Sequence, residues 1–125
     1  MKVYRVENSE CWGPYCNDGT WMDVYHTTDT GHPVPEHDGL SIIWGQYRFG
    51  FISEASLLQW FTANELRKLS DMGYCVSIYE IAENYIKVGA RQLVFVYHAP
   101  KVMLSRTSCF EFLQSTRLAL TGQAA

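Results

Sequence analysis

Few side chains in this 125-residue sequence stand at a spacing that chemistry requires. Arg5 lies in Lys2-Val3-Tyr4-Arg5-Val6-Glu7, where Val3 and Arg5 alternate with Tyr4 and Val6 as on the two faces of a β-strand. An arginine there is either part of a solvated or salt-bridged edge strand or a cation pointing into a cleft. Glu80 closes an apolar run, a strand-end carboxylate in its plainest reading. Cys11 and Cys16 flank aromatics and Pro14, and His26, His32 and His37 follow in the same stretch. No second Cys/His pair stands at zinc-knuckle spacing, so no metal is expected. Nor does any cysteine stand at a recognisable spacing from a histidine. That disfavours acyl-transfer or hydrolytic chemistry on Cys16 or Cys75. The sequence has no phosphate-binding glycine loop, no Gly-x-Ser-x-Gly elbow and no His-Glu-x-x-His helix.

The other chemically informative group is aromatic. Trp12, Trp21 and Trp44 fall between residues 8 and 45, a stretch punctuated by Trp12-Gly13-Pro14-Tyr15, Asn17-Asp18-Gly19, Gly31-His32-Pro33-Val34-Pro35 and His37-Asp38-Gly39. These are turn sequences: glycine for positive φ, proline for fixed φ, Asn and Asp for local side-chain bonds. An irregular connection of that length is more often functional than filler. Trp21 and Trp44 read as anchors to the core. Trp12 and Tyr15, beside Gly13 and Pro14, read as a pocket wall.

The elements that must position these residues follow the loop. Phe49-Gly50-Phe51-Ile52 reads as a strand, with Ser53 capping the helical segment after it. Thr62-Ala63-Asn64-Glu65 has capping-box spacing and starts a second helical piece running to Met72. Gly73 stands where a left-handed residue ends a helix. Leu57, Leu58, Trp60, Phe61, Leu66, Leu69 and Met72 form an apolar stripe at helical spacing, expected in the core. Tyr74–Ile81 and Gln92–Tyr97 read as interior strands, with a connection over Ala82–Arg91. Past Pro100 the pattern weakens. Ser108 to Glu111 again has capping-box spacing, so a helix is expected from about Cys109 to Ala119, with Phe110, Leu113 and Leu118 facing the core. The fold class expected is α+β: a single domain over 1–125, a mixed, mostly antiparallel sheet, two to three helices, a long irregular N-terminal loop over 8–45 and a frayed tail over 121–125.

With 47% hydrophobic and 14% aromatic residues the chain is globular. Its net charge of −3, with no Lys/Arg run, does not favour nucleic acid as the partner. No apolar run reaches bilayer length and the N-terminus has no apolar signal region. A cytoplasmic location with reduced cysteines is therefore expected.

Two resemblances bear on function. The pattern Tyr-Arg-Val-Glu, Gly-Pro-Tyr, His-Pro-x-Pro, Asp-Gly, Phe-Gly-Phe-x-Ser, Trp-Phe and Gln-x-Val-Phe resembles a group of small uncharacterised proteins of bacteriophages and prophages, over most of the chain. That likeness implies action on a host protein in the host cytoplasm, and assigns no activity. More distantly, the order of strands is similar to the mono-ADP-ribosyltransferase fold. This resemblance implies NAD or a related nucleotide as cofactor, with Tyr4 and Arg5 on the first strand at its phosphates or ribose, Trp12 and Tyr15 lining the cleft, and Ser53 at the nicotinamide end. A guanidinium suits that place because its planar fork can make two bonds to a phosphate. Gln92 falls where the family's catalytic Glu stands. A neutral amide keeps the hydrogen bond but supplies no negative charge for the developing cation, a loss on the order of 10²–10³-fold in rate. Glu80 is the carboxylate that would replace it. The alternative is a non-catalytic protein that inhibits a host or defence factor through its aromatic loop, because Trp, Tyr and Arg usually anchor such interfaces.

Overall fold

The computed structural model describes residues 1–14 and 46–124, with side chains up to residue 116. The described strands are β1 (Lys2–Glu7), β2 (Tyr47–Gly50), β3 (Cys75–Ile81), β4 (Ile86–Val88), β5 (Leu93–Val96) and β6 (Lys101–Ser108). The helices are α1 (Glu54–Trp60), α2 (Ala63–Asp71) and α3 (Cys109–Ala124), with one 3₁₀ turn over Glu83–Tyr85. The strands form two three-stranded sheets, ordered β1-β3-β6 and β2-β5-β4, and every pairing is antiparallel. This is the α+β class expected, divided into two sheets.

Local chemistry sets the helix ends. The Ser53 hydroxyl accepts from the Ser56 amide at 3.1 Å and caps α1. Thr62 and Glu65 close a full capping box on α2: Thr62 Oγ1 accepts from the Glu65 amide at 3.1 Å, and Glu65 Oε1 accepts from the Thr62 amide at 2.9 Å. The helix stops at Gly73, whose φ of 90° suits a residue without Cβ. Tyr74 N–H then reaches back to the Leu69 carbonyl at 2.9 Å. Ser108 caps α3 by accepting from the Glu111 amide at 3.0 Å.

In the first sheet β1 and β3 are packed on both faces, whereas β6 is largely exposed. Directly opposed residues of antiparallel strands share a face, so Val3, Arg5 and Glu7 line up with Tyr79, Ser77 and Cys75, while Tyr4 and Val6 line up with Ile78 and Val76. Val6 and Val76 pack with Leu57, Trp60, Leu66, Leu69, Phe112 and Leu113 of the helices. On the other face, Val3, Tyr79 and Ile81 pack with Leu93 and Phe95 of the second sheet. The two sheets join where Tyr4 and Phe51 exchange backbone bonds of 2.8 and 2.7 Å. Gly50 permits that approach: a Cβ there would lie 2.7 Å from Val3 Cγ1 and 3.1 Å from the Tyr4 carbonyl.

Several expectations shift. The strand expected at Phe49–Ile52 runs Tyr47–Gly50, and Ile52 is exposed. Met72, placed in the core stripe from its spacing, is exposed as the C-cap of α2. Phe110 points outward; Leu113 is buried as expected, and its neighbour Phe112 takes the core place on α3. Leu118 lies outside the described side chains. The weak region past Pro100 is β6, whose pairing with β3 shifts register between Ile78 and Tyr79 and leaves Leu104 without an opposite residue. Ala82–Arg91 holds the 3₁₀ turn and the short β4.

Candidate functional site

The strand pattern makes β1 present Arg5 and Glu7 to the same face, and tertiary pairing completes their surroundings. Arg5 faces Ser77 on β3, and Ser77 faces Arg106 on β6, so a polar row crosses the first sheet. Glu7 is 1% exposed and Arg5 is 3% exposed, so every polar atom there needs a partner. Glu7 Oε1 accepts from Arg5 Nε at 2.8 Å. Its Oε2 accepts from Arg106 Nη2 at 2.5 Å and from the Tyr79 hydroxyl. Arg106 Nε donates to Ser77 Oγ at 2.9 Å. Burial alone would push the Glu7 carboxyl up, but the Tyr79 hydrogen bond and the two guanidinium groups outweigh it and hold the carboxyl below the usual range. Burial and the Glu7 carboxylate raise Tyr79 well above the ordinary phenol value.

Arg5 ties this row to two other segments. Its Nη1 donates to the Phe49 carbonyl at 2.7 Å and its Nη2 to the Cys11 carbonyl at 3.0 Å. Cys11 has a φ of 66°, a left-handed backbone in a residue with a Cβ. The loop around it is closed by Asn8, whose Oδ1 accepts from the amides of Glu10 and Trp12, both at 3.0 Å. Asn8 N–H donates to the Trp12 carbonyl at 2.9 Å, and Cys11 N–H to the Asn8 carbonyl at 2.9 Å. Arg5 thus fixes the residues next to Trp12 and next to Arg48.

Trp12 and Arg48 meet over this clasp. The Arg48 guanidinium lies 5.4 Å from the centroid of the Trp12 ring and 5.3 Å from that of Tyr97. Arg48 opposes Phe95 on β5, which puts Tyr97, two residues on, diagonally beside it. Trp12 is 41% exposed and Tyr97 is 48% exposed, so the stack is a surface feature. It borders a cleft of about 180 Å³ between the sheets, walled by Arg5, Glu7 and Lys101 on one side and Arg48, Phe95 and Tyr97 on the other, with Glu10, Cys11 and Trp12 across its end.

The residues singled out from sequence separate. Arg5 and Gln92 come together on the lining of a smaller cavity of about 70 Å³ with Tyr47, Phe49 and Trp60. Glu80 belongs to the opposite face of the sheet from Arg5 and Ser77, and binds the Met1 amino group. Ser53 serves its helix cap. Tyr4 packs against the helical core, and burial followed by the nearby Glu54 raises its hydroxyl above the usual value. Tyr15 lies outside the described residues, as do Trp21, Trp44, Cys16, His26, His32 and His37. Among the described residues no group of three or more His, Cys, Asp or Glu side chains is placed to hold a metal, and no helix is long and apolar enough to cross a membrane. Sequence reasoning did not single out Glu7, Arg48, Tyr97 or Arg106. The place of Glu7 two residues after Arg5 on one strand face was the available signal. Arg106 had none, because β6 was not recognised.

Fold and site together define a small α+β protein with a buried arginine–glutamate clasp beneath an exposed aromatic–arginine stack. Residues 1–108 match the family described as "Bacteriophage T4 Y00F protein", and the chain belongs to that family. It is similar to an "Uncharacterized 19.7 kDa protein in motB-dexA intergenic region" of Enterobacteria phage T4, 33% identical over 49 residues, which are 39% of this chain and 30% of that protein. No solved structure matches. The family match agrees with the resemblance to small phage proteins; neither finding supports the likeness to mono-ADP-ribosyltransferases.

Proposed function

We propose that the protein is a non-catalytic binding protein that engages a host protein through Trp12, Arg48 and Tyr97. The observation that carries this reading is the cluster itself: an arginine lying over two rings, each more than two-fifths exposed, beside a cleft. Tryptophan, tyrosine and arginine are the residues that most often carry interface energy. The stack is also preorganised. Asn8 closes the loop before Trp12, and Arg5 pins the carbonyls of Cys11 and Phe49, so little ordering remains for the moment of binding. Membership of a phage protein family favours a host factor as partner.

The test is affinity capture from host extract with the wild type and with the Trp12→Ala/Tyr97→Ala double variant. A partner held by the wild type and lost by the variant, with the variant's thermal midpoint kept within a few degrees, is the expected result. Capture that is indifferent to both rings would remove this reading.

A second reading, a nucleotide-binding relative of the ADP-ribosyltransferases, has in its favour that Arg5 and Gln92 line one cavity. It ranks below the first on geometry. The Arg5 nitrogens donate to Glu7, Phe49 and Cys11, and Glu80 sits on the other face of the sheet, where it cannot supply a charge beside Gln92. Calorimetric titration with NAD, on the wild type and on Gln92→Glu, decides it: absence of any saturable heat at millimolar NAD in both would end this reading.

A further inference from the structure

We infer that the partner presents an acidic peptide segment to the cleft, its carboxylates bound by Arg48 and Lys101. This rests on the binding reading above and specifies the chemistry of the partner. Two features of Arg48 lead to it. Its guanidinium lies over the rings of both Trp12 and Tyr97, and among the described residues it makes no hydrogen bond or ion pair. A guanidinium stacked in this way keeps its N–H donors at its rim, in the plane that a carboxylate meets with two parallel bonds.

Lys101 stands on the opposite wall. It faces Ile81 across the β3–β6 pairing, and its ammonium lies 5.8 Å from the centroid of the Tyr79 ring, again with no ion pair among the described residues. Arg5 and Glu7, deeper in the cleft, neutralise each other, so the charge the mouth offers is that of Arg48 and Lys101 against Glu10. The whole chain carries −3, so this cationic mouth is a local arrangement that the overall composition does not require. Glu10 also discriminates between anions: a peptide can place carboxylates at the two cations while its backbone N–H groups face Glu10, and a phosphate backbone has no such donors.

The probe is a fluorescein-labelled hexaglutamate peptide carrying one tryptophan, followed by fluorescence anisotropy at low and high salt. A hexalysine peptide and a single-stranded thymidine oligonucleotide serve as comparisons. The expected result is saturable binding of hexaglutamate, none of hexalysine, and roughly tenfold weaker binding in Arg48→Ala, the size of one lost charge-assisted bond. Lys101→Ala, at an exposed strand end, should weaken it in the same direction and keeps the test open if Arg48→Ala fails to fold. Failure of hexaglutamate to bind at millimolar concentration, binding unchanged in both variants, or stronger binding of the oligonucleotide would overturn the inference. Host-protein capture that needs Trp12 and Tyr97 but is indifferent to Lys101→Glu would also overturn it and leave the binding reading standing. Loss of capture altogether is the failure of that reading itself.

Discussion

Glu7 is the residue on which the interior depends. It pairs with the buried Arg5 and with the partly exposed Arg106, and Tyr79 supplies a further bond to it. Removing one partner of a buried ion pair leaves the other charge uncompensated, which costs about 3–5 kcal/mol. Glu7→Gln should therefore lose stability of that order at pH 7 in urea unfolding. The pH dependence has a definite sign. The folded Glu7 carboxyl is held below its unfolded value, so its contribution is complete above the unfolded value of about 4.3 and is lost as pH falls through the lower folded value. The stability gap between wild type and Glu7→Gln should thus narrow on acidification below about pH 4.3. A gap that stays constant down to pH 2 would show that the carboxylate charge is not what stabilises the clasp. Arg5→Ala belongs to the same cluster, and its first effect is on stability: three donors and a strand-to-loop tie disappear together.

Among the elements, β2 has the narrowest tolerance. It approaches β1 where Tyr4 and Phe51 exchange backbone bonds, and Gly50 faces Val3 and the Tyr4 carbonyl at distances that a Cβ would violate. Gly50→Ala should cost about 1–3 kcal/mol, the range for overpacking a filled interior, although alanine suits a strand better than glycine. Chemical denaturation measures it, and a neutral or stabilising result would mean that Val3 yields without strain. The helices have more latitude, since each end is set by its own cap. Replacing Thr62 by alanine removes one side-chain bond and should cost about 1 kcal/mol.

At the scale of the molecule, the described helices pack on one face of the first sheet and the second sheet on the other. Cys109 is fully buried in the helical core, and burial followed by the neighbouring Cys75 pushes its thiol up to about 12. Cys11 is exposed. A thiol-labelling time course followed by peptide mass spectrometry should modify Cys11 at once and Cys109 only at the rate of global unfolding. Labelling of Cys109 well ahead of global unfolding would show that α3 detaches independently.

The sequence by itself determined whatever depends on near neighbours. Ser53, the Thr62–Glu65 box and Gly73 mark their helix ends because caps are satisfied within four residues of chain, and β1, β3 and β5 were legible from their residue types. The α+β class followed from those elements. Tertiary structure decided the rest. β6 buries no side chain fully and so shows no apolar alternation, and Arg106, which reaches Glu7 across 99 residues of chain, had no local signature. Trp12, Arg48 and Tyr97 come from a loop, a strand and a strand end, and only the pairing of β2 with β5 and the grip of Arg5 on two carbonyls bring them together. Spacing along the chain encodes what one helix or strand does with its own backbone; which side chains then share a buried charge or a surface is fixed by strand register and close packing between distant segments.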